Sequence, residues 1–201
     1  NLFPGHPFGM RLLGEEDSLN KLDSQALEDF GGLYTTPDKM VVSMVGDFDI
    51  NEVIDRLGAR LSQSSLLELP KCGSQELPVR KSFSHIPSKK KQSHVLIGGR
   101  GTTIYDPDKY VLEVLTTILS GQSGRLFLDL RDKQSLAYSV SASSVEAVEP
   151  GFIYVYMATS PDKLEQAVTG LRGHLDRLCD ELVGEEELRR AQRYLIGTHS
   201  I

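Results

Sequence analysis

The sequence predicts an α+β fold, a largely antiparallel sheet with helices packed on one face. Three observations predict it: β-branched runs of strand length set around turn residues, helices opened by a cap residue followed by proline, and one long leucine stripe. Strand pairs precede helices along the chain, an order that suits antiparallel pairing better than a parallel doubly wound sheet.

Residues 1–22 are rich in Gly and Pro. Asp23 or Ser24 then caps a short helix through Phe30 that ends at Gly31-Gly32. Lys39 to Gly46 is a β-branched run of strand length, and Asp49 caps a second helix running to about Leu61. Residues 63–78 mix Ser, Gly, Pro and charge without periodicity and read as a linker. It separates residues 1–62, the end of a preceding lobe (helix, strand, helix), from a second α+β lobe over residues 79–201.

The second lobe opens with strands Val79–Ile86 and Ser93–Gly99, expected to pair as a hairpin around Lys89-Lys90-Lys91, a solvated basic turn. Asp106-Pro107 opens a helix whose apolar face is Tyr110, Val111, Val114, Leu115, Ile118 and Leu119, and Gly121 stops it. A second short helix from about Ser123 to Asp132 turns Leu126, Phe127 and Leu130 to the core. Ala137–Val148 and Phe152–Thr159 pair around Glu149-Pro150-Gly151. Ser160-Pro161 starts the helix that carries the stripe Leu164, Ala167, Val168, Leu171, Leu175, Leu178 and Leu182, in which Cys179 is ordinary packing. After Gly184, a final helix has Glu185, Glu186 and Glu187 in its first turn, where carboxylates favour the helix dipole.

Composition narrows the function classes. Among 201 residues, 39% are hydrophobic and 25% charged, an ordinary balance for a folded domain. A net charge of −6 opposes a surface built to neutralise phosphates, so no nucleic-acid partner is expected. No apolar run approaches the roughly 20 residues a membrane span needs. Asn1 opens no signal peptide, and a start without Met suggests a fragment. The sequence names no compartment; a soluble chain of the cytoplasm, a periplasm or an organelle lumen fits equally.

Metal chemistry has no visible home in this chain. The two cysteines, Cys72 and Cys179, are far apart and form no CxxC. No two of the five histidines, His6, His85, His94, His174 and His199, have the spacing that puts two ligands on one helical face, although His85 and His94 could face each other across the first hairpin. His-x-x-Glu-His, G-x-S-x-G, a phosphate-cradling P-loop and a dinucleotide fingerprint are all absent, and Gly98-Gly99-Arg100-Gly101 reads as a strand exit.

The stretch that stands out is Ser123-Gly124-Arg125-Leu126-Phe127-Leu128-Asp129-Leu130-Arg131-Asp132-Lys133-Gln134-Ser135-Leu136-Ala137-Tyr138-Ser139-Val140. It follows the pattern S-x-R-L-F-x-x-x-R-x-x-x-x-L-[AG]-Y-S-V and resembles the C-terminal, zinc-free half of the pitrilysin/insulinase-type zinc metallopeptidases, the inverted zincins. Leu2 to Gly9, Tyr34 to Val42 with Val45-Gly46-Asp47, and Arg193 to Gly197 resemble the same half in the same order. Gly124, where many relatives carry Ser, reads as a small departure.

The resemblance implies a clam-like enzyme of two homologous halves that cleaves peptides or unfolded segments. The zinc cofactor would be held by a His-x-x-Glu-His half on the same or another chain, with none in this chain. This chain would be the non-catalytic, peptide-substrate-binding half, 79–201 being the substrate-binding lobe, with Arg131 and Tyr138 as the substrate-binding residues. The chemistry of the pair suits that role, since a phenol donates to a peptide carbonyl or oxyanion and a guanidinium offers a fork of charged donors. Taken without the resemblance, Arg131 reads as a cation at a helix C-terminus and Tyr138 as a core strand aromatic. Two further alternatives stand: a non-proteolytic structural core-type subunit of the same family, and a stand-alone module that binds peptide by strand addition.

Overall fold

The computed structural model describes residues 2–61, 81–149 and 151–199. The chain divides into two compact units, Phe3–Val79 and Arg80–Ile201 with Asn1–Leu2. The linker expected over 63–78 lies outside the described residues.

In the first unit, the helices are α1 (Glu16–Leu19), α2 (Ser24–Tyr34) and α3 (Ile50–Arg60). The aspartates open α2 and α3 as their positions predict. The Asp23 carboxylate accepts the Ala26 N–H at 2.8 Å, and Asp49 accepts those of Asn51 at 2.8 Å and Glu52 at 3.1 Å, satisfying donors that have no partner within the helix. Helix α2 continues through Gly31-Gly32 to Tyr34, where the Phe30 and Tyr34 rings stack at 4.3 Å; two glycines weaken a helix without ending it when neither must adopt a left-handed conformation.

The strand expected over Lys39–Gly46 does not form. Pro37–Lys39 is a 3-10 turn, and Met40–Val45 pairs with no described strand, so its β-branched run lacks the neighbour that a ladder requires. Val41 is 96% exposed as a result.

In the second unit, β1 (Ser93–Arg100), β2 (Ser139–Val145) and β3 (Phe152–Thr159) form an antiparallel sheet in the order β1-β3-β2. The expected hairpin of Val79–Ile86 with β1 is absent, residues 79 and 80 lying outside the described residues and 81–86 forming no strand. Instead β1 pairs along its whole length with β3, from Ser93 opposite Thr159 to Arg100 opposite Phe152, so His85 does not face His94 across a hairpin. The second expected pair does form, shortened from Ala137–Val148 to Ser139–Val145.

Helix α4 (Lys109–Leu119) packs on β2, α5 (Leu164–Asp180) on β1 and β3, and α6 (Glu185–His199) on α4. Alternation puts Val155 and Met157, with their register partners Val95, Ile97, Val140 and Ala142, on the face that joins the core. Leu119, Leu126, Leu130 and Leu171 are fully buried against them, each side chain contributing about 1.5 to 3 kcal/mol.

Three helix boundaries differ from expectation. Asp106 does not cap α4: its carboxylate accepts the Asp108 N–H at 2.9 Å in a turn, and the helix begins at Lys109. Tyr110 and Val111 are consequently exposed, and burial starts one turn later. Helix α5 stops at Asp180, leaving Leu182 outside the stripe and 99% exposed, and Cys179 is exposed rather than packed. The short helix expected over Ser123–Asp132 is a π-helix from Phe127 to Lys133, with Leu126 and Leu130 fully buried.

Candidate functional site

The segment from Ser123 to Val140 is fixed at its start by close backbone approach. A Cβ at Gly124 would lie 2.1 Å from the Ser120 carbonyl oxygen and 2.6 Å from that of Leu119, so glycine here is a requirement of the turn leaving α4 and not a minor departure. Next along the chain, Arg125 makes a bidentate pair with Glu187 on α6, Nε donating to Oε1 at 2.8 Å and Nη2 to Oε2 at 2.7 Å. The pair is mostly buried. The hydrogen bond to the guanidinium holds the Glu187 carboxyl below its ordinary range, and the same bond raises Arg125.

The π-helix follows. Wide i to i+5 turns are rare and are frequently found at functional sites. Its end is tied down by the Gln134 N–H on the Asp129 carbonyl at 3.0 Å and the Leu136 N–H on the Leu130 carbonyl at 2.8 Å. Ser135 then takes φ 51°, a left-handed conformation uncommon for serine, and Lys163 Nζ donates to its carbonyl at 3.0 Å. Thr159 Oγ1, fully buried, donates to the Leu136 carbonyl at 2.6 Å, and the Tyr138 N–H to the Ala158 carbonyl at 2.8 Å. Side-chain and backbone donors therefore moor the whole stretch between Leu130 and Tyr138.

Both residues singled out by the resemblance sit on this moored stretch with their side chains in solvent. Arg131 lies in the last turn of the π-helix, its guanidinium 4.8 Å from the centre of the Phe127 ring. Tyr138 is 60% exposed just before β2, and its hydroxyl has no hydrogen-bond partner among the described residues, so it is not a core aromatic. No hydrogen bond joins Arg131 to Tyr138. A cleft of about 710 Å³ between α4 and α6, lined by Thr116, Ser120, Ser123, Arg190 and Tyr194 among others, includes neither of them.

No three His, Cys, Asp or Glu side chains gather as a metal would require among the described residues. Instead the histidines have separate surroundings. His6 is buried and its Nδ1 accepts the Phe8 N–H at 3.1 Å; His94 Nδ1 lies 2.8 Å from the Tyr156 hydroxyl; His85 is exposed in an irregular segment; His199 Nε2 is 4.0 Å from Glu113. Buried in α5, His174 places Nε2 2.8 Å from Asp129 Oδ2. Among the described residues, then, the His, Cys, Asp and Glu side chains stand apart and not in the cluster that a tetrahedral zinc site needs.

Sequence reasoning passed over the Arg125–Glu187 pair and the Asp129–His174 contact. A signal existed for the second: His174 continues the spacing Ala167, Leu171, Leu178, so it occupies an apolar stripe position where a polar ring needs a partner.

Comparison with known proteins agrees with this architecture. The profile of the peptidase M16 inactive domain matches residues 21–195. An uncharacterized zinc protease of Streptomyces coelicolor is 27% identical over 98% of this chain and 45% of its own length, and one of Mycobacterium leprae is 29% identical over 98% and 45%. This chain thus spans about half the length of the curated relatives it matches. Among solved structures, a peptidase M16 inactive domain from Pseudomonas fluorescens superposes with a TM-score of 0.82 at 20% identity, covering 100% of this chain and 49% of that one. A chain of complex III2 from Candida albicans gives 0.79 at 17%, covering 99% and 49%. These last two likenesses show the fold alone. By the profile match over most of its length, the chain belongs to the peptidase M16 inactive domain family, the inactive half of a zinc protease family.

Proposed function

We propose that this chain is the non-catalytic, substrate-gripping part of a zinc-dependent endopeptidase acting on peptides or unfolded segments. The carrying observation is that Arg131 and Tyr138 hold exposed side chains on one stretch moored by backbone and side-chain donors, the guanidinium beside the Phe127 ring and the phenol without a hydrogen-bond partner among the described residues. A group that merely packs would be buried, whereas a group that grips must be free and still aimed.

The roles follow from the side chains. Tyr138 donates its phenolic O–H to a peptide carbonyl or to the oxyanion that replaces it, and Arg131 offers charged donors to the peptide backbone or an acidic side chain. Neither is a nucleophile. Zinc and its ligands belong, in this reading, to a His-x-x-Glu-His half on the same or another chain, since the donors here do not suit the metal. Residues 1–62 would close a preceding lobe, 63–78 would link it, and 79–201 would be the lobe that meets substrate.

The test uses the complete two-part enzyme and a fluorogenic peptide. Tyr138→Phe is expected to lower kcat/KM about ten- to a thousand-fold, the upper part of that range for losing an oxyanion-type donor and the lower part for a contact to the ground-state carbonyl. Arg131→Ala should fall similarly with more of the loss in KM, and both variants should melt as wild type does. Variants that melt earlier, yet whose folded fraction turns over at the wild-type rate, would make the pair scaffolding and the substrate-grip assignment wrong.

A further inference from the structure

His174 is buried and reaches the segment that carries Arg131. We propose that His174 is a positioning residue for Arg131, fixing through Asp129 the π-helical turn from which the guanidinium projects. This rests on the reading of Arg131 as a substrate grip.

The side chain of His174 is 7% exposed, and its Nε2 meets Asp129 Oδ2 at 2.8 Å. An ionised carboxylate only accepts, so Nε2 carries the proton and donates it. Two bonds hold the Asp129 carboxyl below its ordinary range, first from the Gln134 side chain and then from His174. Gln134 is the residue that ends the π-helix. The carboxylate therefore ties α5 to the far end of the turn, and Arg131 lies between the two anchored points.

Helix α5 is also shaped to receive the turn. Gly170 sits one helical turn before His174 on the same face, and a Cβ there would come within 2.6 Å of the fully buried Leu130 side chain, next to Arg131. One position admits the π-helix by leaving space, and the other holds it by a hydrogen bond. His174 does this at a cost: its Nδ1 is buried with no partner among the described residues, in a stripe where leucine would bury cleanly. Among the described residues the Arg131 guanidinium makes no hydrogen bond or ion pair and lies 4.8 Å from the Phe127 ring, so its direction depends largely on the backbone beneath it.

The measurement is steady-state cleavage of an internally quenched peptide by the complete two-part enzyme. His174→Leu, which keeps the stripe apolar, is expected to lower kcat/KM about ten-fold, chiefly through KM, with no fall in melting temperature. His174→Gln, whose amide can donate to Asp129 from nearly the same place, should recover most of that loss. In an Arg131→Ala background, His174→Leu should change kcat/KM by less than about two-fold, because a residue acting through Arg131 has nothing left to position. Should His174→Leu fail to fold, His174→Gln and Asp129→Asn in the two backgrounds carry the same comparison. Losses that multiply, or a wild-type rate for His174→Leu beside an impaired Arg131→Ala, would overturn the positioning role alone. A wild-type rate for Arg131→Ala would overturn the grip and the positioning role together.

Discussion

At the scale of single residues, the decisive constraint around the motif is space more than charge. Gly124 has no room for a side chain, because two carbonyl oxygens of the α4 exit occupy the place of its Cβ. Replacing it with Ser, the residue common in the family pattern, is expected to cost about 1 to 3 kcal/mol through forced backbone movement, read as a lower urea midpoint at unchanged slope. A midpoint equal to wild type would mean that the α4 exit relaxes freely. In the sequence this glycine looks like a trivial change, since a close approach of nearby backbone leaves no mark in composition or periodicity. Tyr138 and Arg131 stand out in the sequence only through the motif: residue type by itself fits a core aromatic and a helix-end cation equally well.

At the scale of elements, the Asp23 and Asp49 caps and the pairing of β2 with β3 were legible, and the partner of β1 was not. Asp23 and Asp49 cap their helices through bonds that span only two or three residues, so local sequence determines them. The partner of β1 lies far along the chain, with α4, the π-helix and β2 in between, and no turn between neighbours announces it. The π-helix was invisible for a related reason: its apolar residues fit an α-helical face, and the wider turn is selected by Gly170, His174 and Ser135 from outside it or beyond its end.

The element contact with the clearest electrostatic signature is Arg125 with Glu187, which joins the motif to α6. Glu187 is held below its ordinary value of 4.5, so its contribution to stability is fully present above that pH and is lost as pH falls through the depressed value in the folded chain. Asp129 behaves likewise from 3.8 downward. Arg125, held above its ordinary range by the hydrogen bond to Glu187, loses its contribution only far on the alkaline side and does not affect the acid window. Melting temperature should therefore decline on acidification below about pH 4.5, and Glu187→Gln should be less stable at neutral pH with a shallower acid decline. Identical acid profiles for the two proteins would show that the pair is not coupled to folding. Glu187→Ala, which strands a mostly buried guanidinium, is expected to cost about 3 kcal/mol.

At the scale of the whole molecule, two compact units carry different kinds of information. The second has a sheet, a leucine core and a moored motif; in the first, α2 and α3 bury no residue and the β-branched segment Met40–Val45 pairs with nothing described. If this chain leaves the metal to another part of the enzyme, as proposed above, the isolated chain after exhaustive dialysis should hold far less than one zinc, measured by elemental analysis. About one tightly held zinc per chain, lost on replacing a histidine, would show instead that the metal is bound here.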